Sequence, residues 1–563
     1  MPTIRLAVLV VFLLACSLAA AAGPGGAAVA TAHPLATTAA VRILRAGGNA
    51  FDAAVAASAA LAVVEPGSSG LGGGGFWLLY LADTQRTVMV DGRERAPLAA
   101  AGDMYLDKSG KPLPRASLDG ALAAGIPGEP AALVHVAHKY GRLPLARSLA
   151  PAIRLAREGF PVSEEYVGKA KFRLQVLRRH RRAAAIYLDD GALPEPGWML
   201  RQPRLAQTLE TLGREGRAGF YAGPVAAEMV RAVRAAGGIW RLEDLRRYRV
   251  LEREPVVFGY RGYTVTAAAP PSAGGIGLAT MLNILEGYDL ETLDKATRVH
   301  LTVEAMRRAY RDRQRYLGDP DFVAIPRARL TSEAYAAKLR AGIELHQATP
   351  SAALSDAPAP VGADTTHFSI IDAKGNRVAA TLSINYPFGA GVVAGKTGVL
   401  LNDEMDDFAK QPGLANVYGL VGGQANTIEP GKRPLSSMTP TFVEGHGRVA
   451  ILGTPGGSRI ITMVLLGILE FTEGEGPTAW VTRPRYHHQY LPDVIQHEPS
   501  ALAGVRERLR AMGHALRDVG RRYGDMQAIM WDRASGRLEA ASDPRGIGSA
   551  RVVHLHATAK PGE

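Results

Sequence analysis

Two adjacent threonines, Thr365 and Thr366, lie where a loose segment of small residues changes into an apolar stretch typical of a β-strand. A threonine at such a junction can attack the peptide bond that precedes it, and its hydroxyl is then activated by its own new α-amine. Because an α-amine has a pKa of about 7.7–8.0, part of it is an unprotonated base near neutral pH. The junction therefore predicts an amino-terminal nucleophile. The alternative is that both threonines only begin a strand.

Arg93 follows a predicted strand at 87–90 and lies within the segment 91–97. A guanidinium group binds a carboxylate through two parallel hydrogen bonds, a geometry that a lysine cannot offer. Arg93 is therefore a candidate for holding the carboxylate of a substrate. The alternative is a surface ion pair with Asp91 or Glu94.

The segment 402–408 is strongly acidic, with four carboxylates in five positions of a chain whose net charge is positive. In a helical turn, Glu404 and Asp407 would share one face at the i, i+3 spacing. Two acids on one face form a pocket for a cationic group such as an ammonium. The alternatives are a calcium site, for which the EF-hand spacing is absent, and a solvated acidic turn.

Two further segments carry groups that can bind or polarise a substrate. Ser436 and Ser437 lie between two prolines, so a rigid loop can present both hydroxyls to a carboxylate; no S-x-x-K lysine or nucleophile elbow accompanies them. Gly456 and Gly457 follow a predicted strand and can direct backbone N–H groups to one point, as an oxyanion hole requires. In each case, the alternative is an ordinary turn.

No metal or organic cofactor is predicted. His487 and His488 are adjacent, but no third ligand follows at a metal-like spacing, so we interpret them as structural hydrogen-bonding residues. The glycines at 70, 72 and 75 match the spacing of a dinucleotide-binding motif. Their order is helix, glycines, strand, whereas that motif requires strand, glycines, helix. The glycines are instead expected where two backbone segments pass close together.

The elements that must position these residues change in kind along the chain. Helices are predicted at 33–47, after Asn49 as an N-cap, across most of 129–235, after the turn 270–275, and at 296–316. A buried strand is predicted at 76–81. Residues 347–364 are rich in Ala, Pro, Ser and Thr and predict a linker, and strands follow at 367–382, 391–401 and 440–453.

The composition is that of a soluble globular protein, with 47% hydrophobic and 21% charged residues in 563 positions. The net charge is +12, but no zinc-finger, basic-leucine or aromatic-basic pattern accompanies it, which argues against nucleic-acid binding. The basic run 178–182 lies in a helical pattern and predicts a solvated helix face.

The first 22 residues have the layout of a secretory signal peptide: a basic start, an apolar stretch and an alanine-rich exit. The only cysteine, Cys16, excludes an internal disulfide, and the residues before it resemble a bacterial lipoprotein box. We therefore expect export, with a periplasmic location, and contact with a membrane only through a possible lipid on Cys16.

Taken together, these segments resemble the γ-glutamyltranspeptidase family of N-terminal-nucleophile hydrolases. The resemblance covers residues 33–545, nearly the whole exported chain. It rests on ten blocks in family order: 66–76, 91–97, 270–275, 316–322, 364–369, 402–408, 434–440, 455–459, 485–493 and 542–545. Several such blocks in this order are highly specific, whereas any single one would be weak.

The resemblance implies an α+β fold, a four-layer αββα sandwich, made as a precursor that cuts itself between Asp364 and Thr365. The products would be a large subunit, 27–364, and a small subunit, 365–563, that stay folded together. Thr365, rather than Thr366, then matches the nucleophile. The resemblance also assigns the remaining site: Thr381 and Ser383 orient the nucleophile; Gly456 and Gly457 form the oxyanion hole; Arg93, Ser436 and Ser437 hold the substrate α-carboxylate; Asn385, Glu404 and Asp407 hold its α-ammonium; and Tyr418 lies on a lid loop.

The implied activity is transfer of a γ-glutamyl group from glutathione or a similar compound to water, an amino acid or a short peptide. Ser383 departs from the family pattern, in which Thr is common, so a methyl group is lost and the hydroxyl is kept. Two alternatives remain. One is a glutaryl-cephalosporin-type acylase of the same fold, against which Asp407 argues; the other is a binding protein without catalysis, against which Thr365 argues.

Overall fold

The computed structural model describes residues 23–351 and 365–554. The predicted signal peptide with Cys16, most of the predicted linker, and Asp364 lie outside the described residues. No helix in the two described ranges is both long enough and apolar enough to cross a membrane.

The described strands are numbered in chain order. They are β1 Ala27–Thr31, β2 Gly74–Leu81, β3 Arg86–Gly92, β4 Phe160–Pro161, β5 Met199–Leu200, β6 Leu251–Arg253, β7 Val256–Tyr260, β8 Tyr263–Ala267, β9 Thr366–Ile371, β10 Arg377–Ser383, β11 Thr441–Gly445, β12 Arg448–Gly453, β13 Tyr486–His487, β14 Ile495–His497, β15 Leu516–Asp518, β16 Gln527–Asp532, β17 Leu538–Ser542 and β18 Ser549–Val553.

The described helices are numbered in the same way. They are α1 Pro34–Arg45, α2 Ala50–Val64, α3 Glu129–Tyr140, α4 Leu145–Glu158, α5 Glu164–Arg179, α6 Arg181–Tyr187, α7 Pro203–Glu215, α8 Ala218–Tyr221, α9 Gly223–Ala235, α10 Leu242–Arg247, α11 Gly274–Glu286, α12 Lys295–Tyr316, α13 Arg327–Leu330, α14 Glu333–Arg340, α15 Ile460–Thr472, α16 Pro477–Thr482 and α17 Arg506–Ala511.

Two large sheets form the centre of the protein. The first has seven strands in the order β18-β1-β9-β10-β2-β3-β6, and the second has six in the order β17-β16-β12-β11-β8-β7. Their neighbouring strands are antiparallel. Strand β9, which directly follows Thr365, therefore lies in the middle of the first sheet, between β1 and β10.

Side chains of the first sheet alternate between two hydrophobic cores. In β1, Ala27 and Val29 belong to a core shared with α1, α2 and α3, whereas Ala28 and Ala30 belong to a second core. That second core contains residues of both sheets and of α11, α12 and α15. Because successive strand residues point to opposite faces, this division places helices outside each sheet and the two sheets against each other. The predicted four-layer αββα sandwich is confirmed.

Close backbone contacts explain the glycines that precede and open β2. A Cβ atom on Gly72 would lie 1.8 Å from the carbonyl oxygen of Leu400, and one on Gly75 would lie 2.3 Å from that of Thr381. Both distances are too short for any side chain. These glycines thus let the backbone of the large N-terminal region approach the strand and loop that carry the predicted site, as their position in the sequence predicts.

Several predicted elements agree with the structure, and one prediction is wrong. Asn49 caps α2 through a capping box, and α12 spans nearly the residues predicted for the long helix. Residues 391–401, predicted as a strand, form a loop in which Gly395–Thr397 is a 3₁₀ turn. The backbone at Gly391, Gly395 and Gly398 has φ of +71°, +62° and +75°, which interrupts an extended conformation.

The other two predicted strand regions are each a pair of strands. Residues 367–382 divide into β9 and β10 at a turn around Gly375, and residues 440–453 divide into β11 and β12 at His446 and Gly447. The apolar pattern continues through each turn because both strands of the pair are buried in the same sheet.

Candidate active site

The two threonines at the start of β9 have different surroundings. Thr365 lines a pocket, and its hydroxyl oxygen lies 3.4 Å from Ser383 Oγ at the end of β10. Thr366 is fully buried and donates a hydrogen bond of 2.7 Å from Oγ1 to Glu65 Oε2. Burial raises the pKa of Glu65 to about 7. Of the two candidates that the sequence offered, Thr365 is therefore the one placed to meet a ligand.

Ser383 and Asn385 follow β10 and border the same pocket. Ser383 Oγ accepts a hydrogen bond of 2.8 Å from the backbone N–H of Asn385. Asn385 has φ of +72°, a left-handed conformation that Asn tolerates better than most residues, and its side chain donates to the carbonyl of Asp403. This strained turn brings the end of β10 against the acidic segment.

Thr381 lies on β10, two residues before Ser383, and is not in the pocket wall. Its hydroxyl is paired with Nδ1 of His367 at 2.8 Å, and both side chains are buried. Burial lowers the pKa of His367 to about 3, so the ring is neutral. The assistance to the nucleophile that the resemblance assigns to Thr381 stays a prediction.

Arg93 is buried and surrounded by carboxylates. Its guanidinium donates from Nη1 to Glu404 and from Nη2 to Asp407 Oδ2, the latter at 2.6 Å, and Nη1 also lies 3.4 Å from Glu94 Oε2. Its Nε donates to the carbonyl of Pro434 at 3.1 Å. The surface ion pair considered from the sequence is therefore not what forms, since the side chain is completely buried.

The acidic segment forms the turn that the spacing predicts. Glu404–Asp407 is a 3₁₀ turn, and the side chains three residues apart meet at Arg93. Neither the calcium site nor the solvated turn describes this arrangement, because both acids are already paired with an arginine. Asp406, the residue between them, binds Lys410 at 2.8 Å and Ser117 at 2.7 Å instead.

The carboxylates around Arg93 keep two buried oxygens without a hydrogen-bond partner among the described residues, Glu94 Oε1 and Glu404 Oε2, and of these two residues Glu404 lines the pocket. Burial raises the pKa of Glu404 to about 7 and that of Asp407 as well, although Arg93 opposes both shifts. Burial alone would lower the pKa of Arg93, but the neighbouring carboxylates raise it above its ordinary value. Glu404 Oε2 is buried and has no hydrogen-bond partner among the described residues. An ammonium group is the complement of such an oxygen.

The two predicted serines are held by the loop that opens α11. Ser436 pairs with Ser272, its N–H donates to Pro271, and its Oγ accepts from the N–H of Met438 at 3.1 Å. The hydroxyl of Ser437 is buried and has no partner within the described chain. Ser437 and Glu404 line the same pocket, and each has a polar side-chain atom without a partner among the described residues.

The glycine pair and Tyr418 close the pocket next to Thr365. Gly456 and Gly457 have φ of +149° and +56°, conformations that favour glycine, and Gly457 lines the pocket. A Cβ atom on Gly457 would lie 2.6 Å from the ring of Tyr418. The Tyr418 hydroxyl donates to the carbonyl of Asn385 at 2.7 Å, which holds the aromatic ring across the pocket.

The pocket, about 310 Å³ when the space open to solvent is included, brings together most of the predicted residues. Its walls contain nine of them: Thr365, Ser383, Asn385, Glu404, Asp407, Tyr418, Ser436, Ser437 and Gly457. Arg93, Thr381 and Gly456 are not in its wall but adjoin residues that are. The wall also contains residues that the sequence analysis did not single out, of which Arg313 on α12 is the charged one.

A second, wider cleft of about 1510 Å³ also has Thr365 in its wall. Charged side chains line it: Glu65, Glu165, Lys169, Arg521, Arg522, Asp525 and Arg545. Burial raises the pKa of Asp525 well above its usual value. Thr365 thus faces two spaces, a small polar pocket and a broad charged cleft.

One cluster in the described residues has the composition of a metal site but lies outside both cavities. His300, Glu304 and His514 are buried, and their ligand atoms lie within 4.8 Å of one another. The histidines already share a hydrogen bond of 2.8 Å, and Glu304 is paired with Arg307 and Arg308. Two arginines beside the only carboxylate oppose a cation, so the cluster is best described as a structural polar network.

The predicted roles of His487 and His488 agree with their contacts. His487 pairs with Thr462 at 2.8 Å and with Gln489 at 2.9 Å, and His488 pairs with Asp493 at 3.1 Å. These bonds hold the segment before β14.

A comparison with sequence models of protein families shows to which family the chain belongs. A sequence model of the gamma-glutamyltranspeptidase family matches residues 36–553, nearly the whole described chain. The chain belongs to the γ-glutamyltranspeptidase family.

Curated relatives agree with this assignment. The glutathione hydrolase proenzyme of Pseudomonas sp. (strain A14) is 45% identical over 503 residues, which cover 87% of either chain. That of Escherichia coli (strain K12) is 42% identical and covers 92% of this chain and 90% of its own length. The relatives of this chain also include an acylase: the acylase ACY 1 proenzyme of Pseudomonas sp. (strain V22) is 37% identical over 93% of either chain.

Solved structures show the same fold in the family. The cephalosporin acylase from Bacillus halodurans superposes with a TM-score of 0.82 at 29% identity, covering 94% of this chain and 96% of its own. A chain of the Helicobacter pylori gamma-glutamyltranspeptidase matches with a TM-score of 0.56 at 40% identity, covering 57% of this chain and 93% of its own.

Proposed function

We propose that the protein is a γ-glutamyltransferase and glutathione hydrolase whose nucleophile is Thr365. The observation that carries the proposal is that the pocket lined by Thr365 is also lined by two residues with unsatisfied buried groups, the acceptor Glu404 Oε2 and the donor Ser437 Oγ. The head group of a γ-glutamyl compound has one ammonium and one carboxylate, and it matches such a pair. Relatives described as glutathione hydrolases support the same donor class.

The nucleophile would be made by cleavage between Asp364 and Thr365, which gives a large subunit 27–364 and a small subunit 365–563. Relatives described as proenzymes support a precursor. The position of Thr365 supports it as well, since the residue lies at the start of a central strand with its hydroxyl in the pocket. After the cut, the free α-amine of Thr365 would be the base nearest to its own hydroxyl.

Catalysis then proceeds in two acyl-transfer steps. The Thr365 α-amine takes the hydroxyl proton, and Oγ attacks the γ-carbonyl carbon while the backbone at Gly456 and Gly457 stabilises the oxyanion. The amine of the leaving group departs with that proton and leaves a γ-glutamyl ester on Thr365. Water, or the amine of an amino acid or peptide, attacks this ester and restores the free hydroxyl.

The two spaces at Thr365 support separate binding sites for the donor and the acceptor. The small pocket is lined by polar groups that suit the γ-glutamyl head group, so the leaving group and the second nucleophile are proposed to use another approach. The wide charged cleft also reaches Thr365 and gives that approach. Ser383 and Thr381, on the strand next to Thr365, are proposed to orient the nucleophile, and Tyr418 to restrict access to the donor pocket.

The decisive experiment is replacement of Thr365. The Thr365→Ala chain is expected to stay as one band on a denaturing gel and to lack γ-glutamyl anilide turnover, whereas the native protein gives two bands. Thr366→Ala is the matched control, because that hydroxyl contacts Glu65 rather than the pocket, and it is expected to be cut. An uncut wild-type chain that still releases glutamate from its amides would contradict the proposal.

An acylase is the second candidate, since relatives in the same family carry that description. A glutaryl donor has the terminal carboxylate but no amino group, so Glu404 Oε2 would stay unpaired in its complex. We therefore expect faster turnover of γ-glutamyl anilide than of glutaryl anilide. The reverse order would favour the acylase.

The predicted signal peptide leads us to propose export to the periplasm. Mass spectrometry of the purified mature protein tests this, since it reports the amino terminus, a lipid on Cys16 and the start of the small subunit in one measurement. An amino terminus at Met1 would contradict export.

A further inference from the structure

A groove outside both cavities at Thr365, called the basic groove below, has five basic side chains and no acid among the described residues of its walls. Its volume is about 750 Å³ when the space open to solvent is included, and it shares no wall residue with the pocket or the wide charged cleft. One face of α3, the residue before α8 and the residues after α10 form it. Its walls contain Ala131, Val134, His135, His138, Lys139, Arg217, Arg249 and Val250.

Two arginines of the basic groove are held by backbone carbonyls rather than by acids. Arg217 Nη2 donates to the carbonyls of Leu245, Arg246 and Tyr248 at 3.2, 2.8 and 2.6 Å. Arg249 Nη1 donates to the carbonyls of Arg246 and Tyr248 at 2.6 and 2.8 Å. The same two carbonyl oxygens therefore bind both guanidinium groups, and neither arginine forms an ion pair within the two described ranges.

The two guanidinium groups lie close enough to repel each other. Burial lowers the pKa of Arg217, and the charge of Arg249 lowers it further. Arg217 Nε is buried and has no hydrogen-bond partner in residues 23–351 and 365–554. Two like charges bound to the same carbonyls, one of them with an unused donor, are disfavoured unless an anion binds both.

Helix α3 adds positive charge on the opposite wall. Lys139 Nζ and His135 Nε2 contact one carboxylate, Glu252 on β6, at 2.7 and 2.8 Å. That carboxylate also accepts a hydrogen bond from the Tyr140 hydroxyl, so its oxygens are already in use. His138 is exposed and has no hydrogen bond to the described residues. The lysine and the two arginines outnumber this single acid, so the basic groove carries a net positive charge.

We propose that the basic groove binds a phosphate group, with Arg217 and Arg249 as its main ligands and His138 and Lys139 on the opposite wall. Phosphate oxygens accept hydrogen bonds from a guanidinium fork in a bidentate geometry, and a doubly charged phosphate can pair with both arginines at once. A monocarboxylate has one charge and would neutralise one arginine only. The apolar wall residues beside the arginines give room for a small organic group, so inorganic phosphate and a phosphate monoester share the chemistry that the groove recognises.

Calorimetric titration of the purified protein with inorganic phosphate, at constant ionic strength, tests the proposal. We expect saturable binding, and weaker binding of acetate. In Arg249→Gln, an amide donor is kept for the two carbonyls and the charge is removed. This exposed position is expected to tolerate the change. The dissociation constant for phosphate should rise at least about tenfold, because a charge-assisted hydrogen bond is lost.

A second variant and a matched control complete the design. Arg217→Gln should weaken phosphate binding at least as much, and Arg249→Gln alone decides where the loss of carbonyl contacts prevents Arg217→Gln from folding. Arg181→Gln is the control: it removes one exposed arginine from the basic run 178–182, outside the groove, and should leave the dissociation constant within about twofold. Turnover of γ-glutamyl anilide by Arg249→Gln should equal that of the wild type, since Arg249 lines neither cavity at Thr365.

Glycerol 1-phosphate distinguishes the two sources of the phosphate group. Tighter binding of this monoester than of inorganic phosphate, with the same loss in Arg249→Gln, would identify a monoester as the ligand, and the reverse order would identify the free ion. Absence of saturable phosphate binding by the wild-type protein would overturn the proposal. Equal weakening by Arg249→Gln and Arg181→Gln would overturn it as well, because it would show attraction to the overall positive charge instead of a site.

Discussion

Replacing Asp407 by Asn is the sharpest test of how the pocket distinguishes γ-glutamyl from glutaryl donors. The Asp407 side chain is 12% exposed; its Oδ2 lies 2.6 Å from Arg93 Nη2, and its Oδ1 accepts from Asn416 at 3.1 Å. An asparagine keeps the shape and one acceptor oxygen but removes the negative charge. Glu404 still pairs with Arg93 in the variant, so the arginine keeps one counterion.

The expected loss follows from the type of bond that disappears. A hydrogen bond to a charged group contributes about 1.5–3 kcal/mol. Since about 1.4 kcal/mol corresponds to a factor of ten, kcat/KM for γ-glutamyl anilide should fall about 10- to 100-fold. Glutaryl anilide has no ammonium to lose, and removing one acid from the pocket reduces repulsion of its carboxylate. Its kcat/KM should therefore stay constant or rise.

The assay is the ratio of kcat/KM for the two donors, measured on one preparation of wild-type or Asp407→Asn protein. The ratio does not depend on the fraction of protein that is folded and cut, which changes both rates together. A fall of the ratio by at least about tenfold is expected. Equal losses with both donors would refute the assignment of Asp407 to the ammonium and would indicate a structural role through Arg93.

Two further predictions concern other parts of the molecule. Burial raises the pKa of Glu129 to about 7 from 4.5, so its contribution to stability is complete below pH 4.5 and is lost as the pH rises through about 7. We therefore expect the free energy of unfolding of the wild-type protein to fall between pH 5 and pH 8 by about 2–3 kcal/mol more than that of the Glu129→Gln variant. Urea titrations of both proteins at one fixed protein concentration measure this difference. Parallel pH dependences of the two proteins would contradict the prediction. Arg521 and Arg522 line the wide charged cleft and have no ion pair among the described residues. The double variant Arg521→Ala/Arg522→Ala should therefore raise KM for the acceptor glycylglycine about threefold and leave hydrolysis of the donor unchanged. An equal change with glycinamide, which has no carboxylate, would show that they do not bind that group.

Local patterns were sufficient to predict the residues that act through short-range spacing. The i, i+3 separation of Glu404 and Asp407 specifies a common face, and the structure realises it as a 3₁₀ turn around Arg93. The change from small to apolar residues at Thr365 locates the start of a strand for the same reason. Such features depend on a few neighbouring residues, so a short stretch of sequence is enough to predict them.

The long-range partners could not be derived from such spacing. Arg93 meets Glu404 across 311 positions, and its burial among three acids distinguishes it from the surface ion pair that the local sequence equally allows. The prediction of a strand at 391–401 is wrong because apolar residues are buried in a loop as readily as in a strand. Its left-handed glycines, however, depend on contacts with distant side chains such as Val176 and Glu228.

The position of Arg313 on α12 is marked by a pattern in the sequence. Val299, Val303, Met306 and Tyr310 follow the alternating spacing of four and three residues typical of a buried helix face, and all four are buried. Arg313 continues that spacing by three residues. A charge on an otherwise apolar stripe is uncommon unless it is paired or functional, so the stripe itself marks the position.

The strand order explains why a cut before Thr365 would not separate the two products. In the seven-stranded sheet, β9 and β10 lie between β1 and β2, and β18 pairs with the other edge of β1. In the second sheet, β11 pairs with β8. Each product would therefore contribute strands that the other needs on either side, and separating them would expose both hydrophobic cores.

Residues from both proposed cleavage products form the pocket beside Thr365, as they form both sheets. Arg93 and Arg313 precede the cut, whereas Glu404, Asp407, Ser437 and Thr365 follow it. The ion pairs of Arg93 thus join the two products at the pocket, where desolvation makes an unpaired charge costly. The proposed cleavage would therefore leave the ion pairs of Arg93 in place, because none of these contacts requires the peptide bond before Thr365.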